Sequence, residues 1–366
     1  MLDYEEYTLL TFLQNNPSVS YSNIARKFNY TPATAKRKVN NLRMKGAYNG
    51  KYAIYSPSTL GLTKYIVVSF VDNCSKLEIL KMALREQPYT THRSFIYSPH
   101  LGVYCELNFP SEDSSLIIQF FDRLKFNGVI TDFVIYKSSH IESSFPLDLS
   151  KISLDNFIWH FDWKSFKNSF YETNAIDFPV PKESVFSQTK EIDFKILRIL
   201  SHNADLSQRE ISRKLKVDRT EIWRRIHFLE ENVISGYKSK INRKILNVTS
   251  NKIFFLYFND EEDLRKLFTL FSDKNKRPPF RYRQEVILDE RDNNVLFLYI
   301  SLPQHHEAQL FYFLHEIADV KSYDIDSAGE AGIRYSFYDP NYDPEKKGWR
   351  TNYNYVVDSP IEKLPI

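Results

Sequence analysis

Between Arg26 and Lys51 the chain carries Arg26, Lys27, Lys36, Arg37, Lys38, Arg43, Lys45 and Lys51, and neither Asp nor Glu. A solvated helix face normally mixes signs, so a one-signed stretch is chemistry for a polyanion. Thr31, Ala33, Lys36, Arg37 and Asn40 fall at helical spacing there, and Arg219, Thr220, Trp223, Arg224 and His227 repeat the arrangement downstream. Such side chains on one helix face can reach base edges in a major groove. Trp223 suits a base or sugar contact and equally a packing contact. Lys38 and Arg225 flank the apolar stripes, where each would either reach a phosphate or hold an acid of its own domain. Other chemistries find little support. There is no Gly-rich phosphate loop, nucleophile elbow or paired-carboxylate motif. Cys74 and Cys105 are the only cysteines and make no CxxC, and His305-His306-Glu307 lacks a second ligand spacing. The residues therefore imply no cofactor, no metal and no enzyme.

The elements that position these groups follow from periodicity. Leu9, Leu10, Phe12 and Leu13 predict a first helix, and Ser20 caps a second through Ile24, Ala25 and Phe28. Thr31 caps a third, with Pro32 at its first position and Ala35, Val39 and Leu42 as its buried stripe. Gly46 suits a left-handed helix end. Tyr48-Asn49-Gly50-Lys51-Tyr52 carries the Asn-Gly signal of a type I′ hairpin, so a wing is expected with Lys51 on it and Lys45 below. Residues 190–237 repeat the pattern. Asp218 and Glu221 spell a capping box, Ile222, Ile226 and Leu229 make the stripe, and Asn232 is expected to end the helix left-handed. Ile234 to Lys238 would lead into a second wing, with Lys238 meeting phosphate. Ile24 matches Ile211 at an offset of 187 residues (211 − 24), and Ser20/Ser207, Arg37/Arg224, Leu42/Leu229 and Ile66/Ile253 keep it. That regularity predicts a tandem duplication.

After each three-helix stretch the period changes. Strand, helix, strand, strand, helix, strand are expected over 65–136 and again over 253–325, the ferredoxin-like order. Residues 141–189 hold Phe157, Trp159, Phe161, Trp163, Phe166 and Phe170. The part from 156 to 170 should therefore dock, leaving 172–188 as the tether. The fold class is α+β, two winged helix-turn-helix domains alternating with two ferredoxin-like (βαββαβ) domains. The boundaries are 1–60, 61–140, a linker 141–189, 190–248, 249–328 and a Tyr/Pro-rich extension 329–366.

Composition agrees with a folded protein of several small domains: 366 residues, 42% hydrophobic and 15% aromatic. The apolar runs at 65–71 and 253–258 have strand length and cannot span a membrane as helices. MLDYEEYTLL has acids where a signal peptide would be basic, so a cytoplasmic location is expected.

Residues 192–237 resemble the DNA-binding domain of the leucine-responsive regulator/AsnC (Lrp/AsnC) family. Ile192-Asp193, Ile196-Leu197, Arg225-Ile226, Leu229-Glu230 and Val233-Ile234-Ser235-Gly236-Tyr237 carry the likeness. In the first copy Lys38 stands for the family's Arg and Arg43 for its Glu. The ferredoxin-like units match the order of the family's effector (RAM) domain. Its Gly-x-x-Asp turn is not reproduced at Tyr97–Gly102 or Asp289–Asn294. The resemblance implies a transcription regulator bound to double-stranded DNA, an intrachain pseudo-dimer on an imperfect palindrome with its two sheets face to face. It also implies an amino-acid-like effector and further homo-oligomerisation. The same architecture resembles siroheme decarboxylases, for which His92, Arg93 and His100, or His305, His306 and His315, would be the candidates. A winged helix turned to protein docking is the third reading.

Overall fold

The computed structural model describes residues 2–110, 115–153, 158–326 and 332–365. Phe157 and Ser114, which the sequence placed in the docking segment and in a helix, lie outside them. Contacts group the chain into two units that interleave the consecutive segments: residues 1–56, 149–160 and 189–249, and residues 57–148, 161–188 and 250–366. No helix of the described residues is long and apolar enough to cross a membrane.

The first unit holds two three-helix bundles. Helices α1 (Tyr4–Asn15), α2 (Tyr21–Phe28) and α3 (Pro32–Met44) precede strand β1 (Tyr48–Tyr55). Helices α7 (Glu191–His202), α8 (Gln208–Leu215) and α9 (Arg219–Asn232) precede β9 (Ile234–Ile241). Leu9, Leu10, Leu13, Ile24, Ala35, Val39 and Leu42 form the first bundle's core, with Ile241 and Ile245 packed against it. The hairpin expected at Tyr48–Tyr52 does not form. β1 runs on and pairs antiparallel with β9, Tyr52 opposite Lys238 and Ala53 opposite Tyr237. Gly50 has φ +82° beside a bulge, and a Cβ there would lie 2.6 Å from the Asp205 Oδ2. Its glycine therefore serves a close approach rather than a turn, and the partner strand is too distant in sequence for a local turn signal to reveal. Residues 149–160 also belong here: Tyr7 donates from its hydroxyl to the Leu149 carbonyl, and buried Trp159 donates to that of Leu246 at 2.8 Å. They include the short strands β7 (Ile152–Ser153) and β8 (Ile158–Trp159).

In the second unit, β2 (Leu62–Phe70), α4 (Cys74–Glu86), β3 (Thr90–Ser98), β4 (Gly102–Pro110), α5 (Ser115–Phe126) and β5 (Asp132–Ser138) follow in the expected order. So do β10 (Ser250–Tyr257), α10 (Glu261–Ser272), β11 (Arg281–Leu288), β12 (Asn294–Leu302), α11 (Glu307–Ile317) and β13 (Asp319–Asp326). The two sheets, β3-β4-β2-β5 and β11-β12-β10-β13, share a core of Ile66, Val68, Tyr104, Tyr136, Ile253, Phe255, Phe297 and Ile325. They are also joined at both edges, β13 to β3 and β5 to β11. That pairing satisfies edge N–H and C=O groups which open sheets leave bare. Strand β6 (Ser143–Phe145) adds to β11, and β14 (Gly332–Arg334) to β3.

The stretch 172–188, expected as a tether, is mostly exposed and largely outside helix and strand, and it is anchored at a few points. Helix α6 (Trp163–Glu172) lays Phe166 against Phe271 and Phe313, with ring centroids 5.3 and 5.4 Å away. Phe178 is buried, the Val185 N–H donates to the Thr59 carbonyl at 2.8 Å, and Phe186 stacks on Trp349 at 5.1 Å. Aromatic side chains of this size each gain about 2–3 kcal/mol on burial, which holds the segment down.

Candidate nucleic-acid interface

The third helix of each bundle is held from below and bare above. Thr31 caps α3 by accepting from the Thr34 N–H at 3.1 Å, and Pro32 takes the first position. Ala35, Val39 and Leu42 are buried, while Ala33, Lys36 and Arg37 are exposed and Asn40 is half-buried. Lys36 and Arg37 make no hydrogen bond or ion pair among the described residues. Three other cations of the acid-free stretch meet acids from elsewhere in the fold. Lys38 binds Glu5, Arg43 binds Asp205 at 2.6 Å and Lys45 binds Glu6 at 2.7 Å. With Lys38 and Tyr30 both donating to it, the Glu5 carboxyl is held below its ordinary value. Burial and that same carboxylate push the Tyr30 hydroxyl up to about 12.

In α9 the Asp218 carboxylate accepts from the Thr220 N–H at 2.7 Å. The reciprocal half of the capping box is missing, because Glu221 turns to Arg224 instead. The complete box stands at α8, where Ser207 and Glu210 cap each other. Arg219, Thr220, Trp223, Arg224 and His227 are all exposed on one face. The Trp223 and His227 rings meet edge to face at 4.4 Å, and His227 Nδ1 lies 3.5 Å from Glu230. Asn232 is not left-handed; α9 closes on Val233 in ordinary helical geometry while Asn232 donates to the Phe228 carbonyl at 2.9 Å. Left-handed residues instead end α2 at Asn29 and α8 at Lys216, both with φ 55°.

The two wing lysines stand in the β1–β9 ladder, not on free hairpins. Lys51 lies over the Tyr237 ring at 5.3 Å, and Lys238 is half-buried opposite Tyr52. Lys38 and Arg225 both hold an acid of their own bundle: Arg225 donates from Nε to Asp193 at 2.6 Å.

The histidine candidates are scattered along the second unit. His92 lies 3.1 Å from the Ser94 hydroxyl, buried Arg93 donates to the Tyr335 hydroxyl at 2.9 Å, and His100 packs on Phe70. Buried His306 accepts from Trp163 Nε1 at 3.0 Å, His305 packs on His306, and His315 on Phe311. The sequence reading missed a buried ionic cluster. Lys64 binds Glu142 at 2.6 Å and also Glu285, while Arg283 binds Glu106 and, at 3.0 Å, Glu142. Against the cost of burial, Arg283 and Lys64 hold the Glu106 carboxyl well below its ordinary value. Burial wins at Glu285, which is pushed up. Isolated charges on the core-facing phase of apolar strands were the available signal.

Comparison with known proteins bears on this geometry. Residues 189–232 match the family described as winged helix-turn-helix DNA-binding. The HTH-type transcriptional regulator Ptr1 of Methanocaldococcus jannaschii is 41% identical over 80 residues, 21% of this chain and 54% of that protein. The chain thus spans about half the length of the curated relative it matches. The siroheme decarboxylase NirDL overlays with TM-score 0.55 at 13% identity, covering 91% of this chain and 94% of its own. Its complex with an iron-uroporphyrin III analogue gives TM-score 0.56 at 12%. E. coli AsnC overlays with TM-score 0.30 at 17% identity, over 37% of this chain and 91% of its own. The expectation that the chain is not an enzyme is therefore corrected. The fold that spans nearly all of it is one that an enzyme also uses.

Proposed function

We propose that this chain is a sequence-specific, DNA-binding transcription regulator. It descends from a tandem duplication and acts as an intrachain pseudo-dimer on an imperfect palindrome. One observation carries the reading: Lys36 and Arg37 stand exposed and unpaired on a capped third helix, in the same compact unit as a second such helix. The winged-helix match over 189–232 and the likeness to Ptr1 support it. Thr31, Ala33, Lys36, Arg37 and Asn40 with Arg219, Thr220, Trp223, Arg224 and His227 would face the grooves. Lys45, Lys51 and Lys238 would contribute at the edges. The proposal extends to a small-molecule effector and to association of whole chains. A salt-titrated gel shift with genomic fragments tests it, and sequence-independent binding alone would count against it. Replacing Arg37 and Arg224 together with Ala should abolish binding while the melting temperature stays near wild type.

A second reading starts from the buried cluster of Lys64, Glu106, Arg283 and Glu285, which DNA binding does not use. Ionisable groups so perturbed are common where chemistry is done. The ligand of the overlaid decarboxylase complex supplies the probe: titration with the iron-uroporphyrin III analogue should give a saturable absorbance change if this chain takes a tetrapyrrole, and none otherwise.

A further inference from the structure

We infer that the DNA target is one directional site of two unlike half-sites at a fixed spacing. The half-site under α3 is held chiefly through phosphates, and that under α9 chiefly through bases. The inference rests on the DNA-binding reading above and goes beyond it in naming how the two halves differ.

Charge separates the two helices first. α3 contains Lys36, Arg37, Lys38 and Arg43 and no acid, whereas α9 sets Arg219, Arg224 and Arg225 against Glu221, Glu230 and Glu231. The formal sums are thus four positive charges and none. Internal pairing sharpens the contrast on the outward faces. Lys36 and Arg37 are free, but Arg224 already holds Glu221 and His227 lies beside Glu230. A cation that must share itself with a carboxylate gains less from a phosphate, and the carboxylate repels the backbone. What α9 offers instead is Thr220 and the half-exposed Trp223, a residue 48% accessible whose ring is buttressed by His227. A hydroxyl and an indole suit base edges and thymine methyls better than phosphate.

Geometry fixes the spacing. β1 and β9 form a ladder from Tyr48/Ile241 to Tyr55/Ile234. Around it, Arg43 binds Asp205, the Ser239 hydroxyl donates to the Leu13 carbonyl at 2.7 Å, and the Ala204 N–H to the Lys51 carbonyl at 2.9 Å. Each bond joins one bundle to the other. The separation of α3 from α9 is thus set by a strand pair rather than by a flexible linker.

The test is the salt dependence of binding by the full chain to a site selected from random duplexes. Each lost phosphate contact lowers the log–log slope by about 0.9. The variant with Lys36→Ala and Arg37→Ala should therefore lose about 1.8 from the slope, about a tenfold weaker salt effect between 50 and 200 mM. The variant with Thr220→Ala and Trp223→Ala should keep the wild-type slope and lose at least tenfold in preference for the selected over the scrambled site. Inserting five base pairs between the half-sites, half a helical turn, should weaken binding at least tenfold. Melting temperatures near wild type confirm that the variants fold. Equal slope changes in the two variants, or a tolerated insertion, would overturn the inference while leaving DNA binding intact. A wild-type chain that selects no site overturns the functional reading itself.

Discussion

Arg225 grips Asp193 by two points in a setting nearly closed to water: Asp193 is wholly buried and Arg225 nearly so. The pair ties α9 to α7, and the Asp193 carboxylate also accepts from the Lys190 N–H at 2.7 Å. Arg225→Ala would leave a buried carboxylate without its counter-charge, at a cost of about 3–5 kcal/mol. Lys38→Ala removes the matching but more accessible link to Glu5 and should change little. Urea unfolding of the two variants checks the contrast. Similar midpoints for both would mean that the buried pair is replaceable.

Much of this was legible in the chain. Thr31-Pro32, Ser20 and the stripe Ala35, Val39, Leu42 announced their helices because caps and 3.6-residue periodicity are local properties. The apolar runs of strand length in β2 and β10 announced the sheets for the same reason. Long-range partners were hidden. Nothing near Asn49-Gly50 reveals that Tyr52 will lie opposite Lys238, and nothing near Arg43 points to Asp205. The acid-free stretch therefore overstated the free charge, since Glu5, Glu6 and Asp205 come to it only through the fold.

Three glycines should rank by what a Cβ would meet. At Gly102 it would lie 2.2 Å from the Ser69 carbonyl oxygen, which belongs to the backbone of the paired strand β2 and cannot yield cheaply. At Gly50 it would meet the Asp205 carboxylate at 2.6 Å, at φ +82°. At Gly46 nothing lies within 4 Å and only the φ of +66° is strained, about 1 kcal/mol. We expect destabilisation in the order Gly102→Ala, Gly50→Ala, Gly46→Ala by thermal melting. Adding Asp205→Ala should relieve part of the Gly50→Ala defect. No relief would place the strain in the backbone instead.

The ionic cluster makes stability depend on pH in a predictable direction. Burial raises the Glu285 carboxyl above the ordinary 4.5, so the folded state retains its proton longer than the unfolded one. The cost of ionising it therefore appears as pH rises from 4.5 through the folded value. Glu285→Gln keeps the shape and cannot ionise. Its melting temperature relative to wild type should increase between pH 5 and pH 8. Glu106, held low by Arg283, works oppositely, contributing stability that is lost as pH falls through its folded value. A pH-independent difference for Glu285→Gln would mean that the carboxyl is ionised throughout.

The docked segment around α6 gives a last test. Trp163 and Phe166 are buried, Trp163 donates to His306, and Phe166 meets Phe271 and Phe313. Truncating a buried Phe to Ala removes about 3–5 kcal/mol of transfer and cavity energy. Phe166→Ala should therefore lower the urea midpoint and expose Lys164 and Lys167 to trypsin, whereas Trp163→Phe keeps the ring against Phe280 and loses chiefly one hydrogen bond. We expect rapid cleavage at these lysines in the first variant and slow cleavage in the second. Equal rapid cleavage of the wild-type chain would mean that this segment does not stay docked.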